Sequence, residues 1–392
     1  MATARHAIIA GGGIGGLAAA VALNQAGIRA TVYERGEDLR VGGAGLHLWT
    51  NAMLALESLG LTDAVRKTAP VQEFCEFRTW RGELLASWPV GEFVDRYGQP
   101  TVAIARSALH EVLQTGLTGT EVRTGTALTG FDQDADGVTA RLSDGSTHRA
   151  DLLVGADGIG SAVRAQLLGN TPPRYAGYVA WRGIADLGSE VIPAGSFRSI
   201  FGRGTRFVYY DIAPGRVHWM SVENGPAGGA DGPGVLESIA RRHLGWADPV
   251  QRIITATDES TVIRTDIVDR APDAHWGQGR VTLLGDAAHP MSFNVGQGAC
   301  QAIEDALVLA ERLRTDDSVP AALAAYEDER KPRTASMQKA ANILGKLGSW
   351  SNPLAVGTRH LLMRAGWERG AFKAIEADVR YGTRWASPAG RT

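Results

Sequence analysis

Three separated clusters in this sequence carry residue types suited to holding a dinucleotide. Gly11, Gly13 and Gly16 fit G-x-G-x-x-G directly after the apolar run HAIIA and at the start of LAAAVALNQAG. In that pattern the first glycine makes a tight turn, the second lets backbone approach a pyrophosphate, and the third lets helix pack on strand. The phosphates then sit at a helix N-terminus, where unsatisfied N–H groups and the helix dipole favour anions. Glu34 closes the next run, RATVYER, at a place where a carboxylate accepts hydrogen bonds from a ribose hydroxyl and disfavours a 2′-phosphate. The second cluster is Asp157-Gly158 in DLLVGADGIGSAVR, and the third is Gly285-Asp286 in LLGDAAHP. An aspartate at the C-terminal end of a buried strand is costly unless its carboxylate is paired or hydrogen-bonded. Asp286 is therefore expected to accept bonds from a ligand hydroxyl or from local backbone N–H groups. Gly296-Gln297-Gly298 opens the helix that follows, a second potential anion site.

The elements that must position these residues can be read from hydrophobic patterning. The opening is strand, turn, helix, strand, a βαβ unit. FEFRTWRGELLASW alternates on both sides of Arg81-Gly82 and reads as a hairpin, as does VTARLSDGSTHRADLLVGAD around Asp144-Gly145. From Tyr175 to Glu223 four further strand-like runs follow, rich in aromatic residues, and they predict an antiparallel sheet. Short helices come after Asp231, then a strand at TVIRTDIVD, a buried strand in RVTLLGDAAHP, a helix from about Gln297 to Arg314, and helix to near the end.

Composition bounds the function. The 392 residues are 44% hydrophobic and 21% charged, close to the roughly 45–50% and 25% of soluble globular proteins. Forty basic against 42 acidic side chains give a net charge of −2, which offers no sequence-wide electrostatic footprint for nucleic acid or an anionic membrane. A small-molecule partner is expected. Cys75 and Cys300 cannot build a disulfide framework or a metal site, which points to a reducing cytoplasm and no metal. With a first strand starting near His6, no targeting segment is expected. The 49 glycines are an excess, against a usual share of about 7%, and many fall in the three turns just described.

In their order, these motifs resemble the class A flavoprotein monooxygenases, FAD-dependent aromatic hydroxylases with the fold of p-hydroxybenzoate hydroxylase. The resemblance continues to the Tyr326-Glu327-Asp328-Glu329-Arg330-Lys331-Pro332-Arg333 segment. GAGLHLWTNAMLALESLGL and GYVAWRGI are most similar to the 6-hydroxynicotinate 3-monooxygenase, salicylate hydroxylase and urate hydroxylase type. It implies an α/β fold: a Rossmann-like, GR2-type FAD-binding domain (1–72, 101–172 and 271–320) interleaved with an antiparallel-sheet substrate domain (73–100 and 173–270), plus a C-terminal helical segment (321–392). It also implies that Gly11, Gly13, Gly16 and Glu34 hold the ADP half of FAD with Arg35 beside the adenosine, and that Arg106 approaches the ribityl and pyrophosphate region. Asp286 would bind the ribityl chain, Asp157 with Gly158 would support FAD and the passage of NAD(P)H, and Pro290, Gly296 and Gly298 would lie along the isoalloxazine. Two positions depart from the family pattern: Phe293 stands where proline is frequent, and Arg106 follows alanine in place of an acidic or histidine residue.

The chemistry so implied is NAD(P)H reduction of FAD, uptake of O₂, and delivery of one oxygen from a C4a-hydroperoxyflavin to an aromatic or heteroaromatic small molecule. Epoxidation or Baeyer–Villiger oxidation would use the same chemistry, and a non-hydroxylating NAD/FAD dehydrogenase or sensor is the reading from a different class. A flavin halogenase is disfavoured, since only Lys67 precedes Lys331 and no W-x-W-x-I-P segment is present. For substrate, His47, Arg206, Tyr210 and His218 are the candidates. Tyr210 shares the parity of Arg206, whereas Phe207 and Tyr209 face the other way. His47 is expected to line the pocket more than to act as a base, and for each of the four candidates the alternative is a packed residue with one satisfied hydrogen bond. His289 is expected to be structural, and Trp181 and Arg182 either line the pocket or support the sheet. The protein is expected to act as a monomer or homodimer.

Overall fold

The structure, a computed structural model, describes residues 4–39, 45–188 and 191–386. Gly43 and Ala44 of the GAGLHLW segment lie outside the described residues. A parallel sheet forms the first layer, in the order Val281–Leu283, Leu152–Gly155, His6–Ala10, Arg29–Tyr33, Glu121–Arg123. Parallel strands need crossovers that cover the sheet, which is why AIIA and LLVG are apolar at consecutive positions and do not alternate. Helix Ile14–Gln25 makes the first crossover and buries every residue from Gly16 to Leu23 against the sheet and against helix Gly298–Thr315.

A seven-stranded sheet forms the second layer, in the order Ile263–Asp269, Arg174–Asp186, Arg216–Asn224, Thr205–Ala213, Ser196–Phe201, Phe74–Thr79, Leu84–Trp88. Its pairings are antiparallel with one exception, Ser196–Phe201 beside Phe74–Thr79, which run parallel. The four runs from Tyr175 to Glu223 pair antiparallel, as their pattern predicted, and the parallel pair arises where Phe74–Thr79 of the separate hairpin joins them. The two strands come from distant parts of the chain, and without a tight turn between them nothing forces opposite directions. The Asp144-Gly145 hairpin pairs with Leu128–Gln133 in a separate three-stranded sheet.

Period-two alternation divides the large sheet into two faces. Trp181, Phe207, Tyr209 and Trp219 pack beneath helices Val235–Arg242 and Val250–Thr255. Ala180, Val208, Tyr210 and Met220 face the dinucleotide side, and between the layers runs a two-stranded ribbon, Gly45–Leu48 with Val102–Ala105. Helices Val319–Gly348, Pro353–Leu362 and Glu368–Gly382 close the chain over both layers. The long helix is pinned by Arg330, wholly buried, which donates to Asp305, Glu304 and Gln301 Oε1, each at 2.7 Å. Among the described residues no helix is long and apolar enough to cross a membrane.

Candidate active site

A cavity of about 810 Å³ opens between the two layers. At one end is the glycine turn. Gly11 has φ +105°, and a Cβ there would collide with the Ala156 carbonyl. A Cβ on Gly16 would collide with the Gly11 carbonyl, so this position serves helix–strand contact. Gly13 differs: it lines the cavity, and a Cβ there would meet nothing within 4 Å. The helix it opens has no side-chain cap and no acid in its first turn, so its leading N–H groups are left for a ligand. Glu34 stands behind the turn, accepting the Gly12 N–H at 2.7 Å and the Gly36 N–H at 2.8 Å. Neither Glu34 nor the exposed Arg35 lines the cavity.

Further along, Gly158 lines the wall, but Asp157 does not. One Asp157 oxygen accepts the Ala162 N–H at 2.7 Å at the start of helix Ala162–Leu168, and the other is buried without a partner. Burial raises its carboxyl above the usual range. Asp286 makes no hydrogen bond with the described residues, and its carboxylate projects into the open cavity. The local backbone does not engage it, so the carboxylate is available to a ligand hydroxyl. The surrounding walls push its carboxyl up, with His289 and Arg106 opposing. Arg106 opens helix Arg106–Thr115, and its Nε is buried and unpartnered. Pro290, Gly296 and Gly298 continue the wall, and helix Gly298–Thr315 also begins without a side-chain cap or a first-turn acid. His289 is structural, its Nε2 lying 2.6 Å from Asp305 Oδ2.

The sheet supplies the opposite wall. Arg206 is 5% exposed, and Nη1 donates to Asn294 Oδ1 at 2.7 Å, while Nη2 is buried without a partner. Its guanidinium lies over Tyr178 and Phe293, with no ion pair to an acid among the described residues. Tyr210 stacks on Phe197 with centroids 5.5 Å apart, and burial raises its phenol above the ordinary value. His47 packs against Trp49, Phe197 and Tyr210, and its Nε2 is buried and unpartnered. His218 accepts the Gly45 N–H on Nδ1 at 3.0 Å, which ties the sheet to the ribbon. Burial pushes both histidines down to about 3, so both rings are neutral at neutral pH. Alternation settles the remaining pair: Arg182 lines the cavity, whereas Trp181 turns away and donates to Asp231 at 2.7 Å.

A family model described as FAD binding domain matches residues 5–178 and 252–341. The chain belongs to the FAD-binding-domain family. It is 42% identical over 364 residues to the aurachin C monooxygenase/isomerase of Stigmatella aurantiaca, spanning 93% of this chain and 95% of that one. It is 36% identical over 330 residues to the FAD-dependent urate hydroxylase of Klebsiella pneumoniae, spanning 83% and 86%. Among solved structures, Klebsiella pneumoniae HpxO complexed with FAD and uric acid matches with a TM-score of 0.87 and 32% identity over 97% of each chain. With these relatives it stands among the class A FAD-dependent monooxygenases.

The residues of this family member fit FAD. The space a Gly13 Cβ would fill is open, two helix N-termini are uncapped, and Asp286 and Arg106 leave polar atoms without protein partners at the same wall. Sequence reading did not single out Phe197 or Asn294. The alternation of Phe197, Ser199 and Phe201 in SFRSIF carried the signal for the first. Nothing local marked Asn294, which acts through a partner far away in the chain.

Proposed function

We propose that this enzyme uses NADH or NADPH and O₂ to hydroxylate an aromatic or heteroaromatic small molecule bearing an ionisable hydroxyl or ring N–H. The observation that carries this reading is Arg206. An arginine does not deprotonate in proteins, and a buried charge without a counter-charge is costly. The unpartnered Nη2 of Arg206, beside the rings of Tyr178 and Phe293, therefore suits a planar substrate that arrives as an anion or ionises once bound. Ionisation makes the ring electron-rich, which is what oxygen transfer to carbon requires.

FAD, when bound, supplies the redox chemistry that activates O₂. Gly13 and the N–H groups of helix Ile14–Gln25 would hold its pyrophosphate, and Arg106 and Asp286 its linking chain. Pro290, Gly296 and Gly298 would flank its ring. The protein's own work is positioning and exclusion. Arg206 orients the ring through charge, Tyr210 and Phe197 hold its plane, and neutral His47 offers Nε2 as a hydrogen-bonding partner. His218, through Gly45, fixes the ribbon that carries His47. The apolar lining keeps bulk water from the reacting atoms.

The test is a screen of phenols and hydroxylated N-heterocycles for stimulated NAD(P)H oxidation, with mass detection of a product heavier by one oxygen. Arg206→Met should lower affinity for ionisable rings by one to two orders of magnitude. Unchanged affinity would remove the support that Arg206 gives.

A further inference from the structure

The cavity is much longer than a ring requires. Its floor runs across the large sheet from Ile267 on one edge strand, through Val208 near the middle, to Trp88 on the other edge. Six inter-strand spacings make that roughly 29 Å. Arg206 and Tyr210, which would hold the ring, lie on the strand Thr205–Ala213, so about 14 Å of floor extends beyond them over three more strands. This extension is apolar by construction. On Phe74–Thr79 and Ser196–Phe201, the charged residues Glu76, Arg78 and Arg198 pair with one another on the far face, Arg198 Nε to Glu76 at 2.8 Å and Arg78 Nε to Glu76 at 2.9 Å. The alternate positions Cys75, Phe77, Ser199 and Phe201 face the cavity. Met363 packs against Phe201 and Phe77, and helix Glu368–Gly382 brings Ala371, Ala374 and Ile375 to the same lining. The charged side chain on this part of the lining, Asp378, is engaged by Arg333 at 3.2 Å. Small residues on that helix leave room that larger ones would close.

We propose that the substrate's ring carries an extended apolar chain, alkyl or prenyl, and that this chain lies over Phe201, Phe77 and Trp88 beneath helix Glu368–Gly382. The inference rests on the ring-oxygenation reading and specifies its substrate class. Burial of each methylene is worth about a threefold to fourfold gain in affinity.

FAD-loaded protein would be titrated with phenol and its para-alkyl homologues from methyl to nonyl, with dissociation constants read by calorimetry and NAD(P)H oxidation read in parallel. Affinity should rise threefold to fourfold per methylene and then level off once the slot is filled. Ala374→Trp should flatten that slope. Phe77→Ala, which enlarges the slot, should move the levelling-off to longer chains. Equal affinities for phenol and its homologues, or an unaltered slope in Ala374→Trp together with an unmoved levelling-off in Phe77→Ala, would overturn the proposal. A chain-length slope in binding with no oxidation of any homologue would instead contradict ring oxygenation and leave the slot standing.

Discussion

A buried guanidinium without a counter-charge is costly, and Arg206 presents one on the sheet wall of the cavity, while Asp286 turns an unbonded carboxylate into the same cavity from the other wall. Asp286→Ala should weaken FAD retention without lowering the stability of the FAD-free protein, because no protein bond is lost. His218→Ala should retain FAD but release hydrogen peroxide in place of product, because the Gly45 N–H loses its acceptor and the ribbon carrying His47 shifts. If flavin content and peroxide yield respond alike in the two variants, the division between cofactor wall and substrate wall is wrong. The buried histidines also set a pH dependence. His47 and His218 are held down to about 3, while in the unfolded chain they protonate near pH 6.5. Between those values the unfolded state binds more protons, so stability falls as pH drops through the window, by up to about 1.4 kcal/mol per pH unit for each histidine. Melting temperatures between pH 7 and 5 should show a shallower slope in His218→Asn than in the unmodified protein.

Elements turn such residues into a site, and the glycine turn shows how. Gly13 has φ −72°, open to any residue, and no neighbour within 4 Å of its Cβ position. Gly13→Ala should leave the melting temperature of FAD-free protein unchanged and cut FAD affinity at least tenfold. Gly16→Ala should compromise folding itself, since its Cβ meets the Gly11 carbonyl. A parallel loss of stability in both would deny Gly13 its separate role. The βαβ unit, the hairpins at Gly82 and Gly145 and the faces of Arg206 and Tyr210 were legible in sequence because they rest on local periodicity and turn chemistry. The parallel pairing of Ser196–Phe201 with Phe74–Thr79 was not, because strand neighbours brought together from distant segments leave no local mark. Nor was the part that helix Glu368–Gly382 plays in the cavity, since a stripe of Ala371, Ala374 and Ile375 reads equally as ordinary core.

Across the whole molecule, one buried network joins the cofactor layer to the helices that close the cavity. Arg330 bridges Asp305 and Glu304, and Arg333 links Glu304 to Asp378 on helix Glu368–Gly382. Removing one member of such a network leaves uncompensated buried charge, so Arg330→Met should cost about 3–5 kcal/mol in denaturant unfolding. A loss of less than about 1 kcal/mol, as expected of an exposed pair, would contradict that role. The central claim concerns what the assembled cavity does, and turnover under isotopically labelled dioxygen tests it most directly. With a ring substrate that stimulates NAD(P)H oxidation, the product should carry a single labelled oxygen, with the other in water and the reductant consumed in step with product. An oxygenated product without label, or NAD(P)H oxidation that yields only hydrogen peroxide with every ring tried, would contradict it.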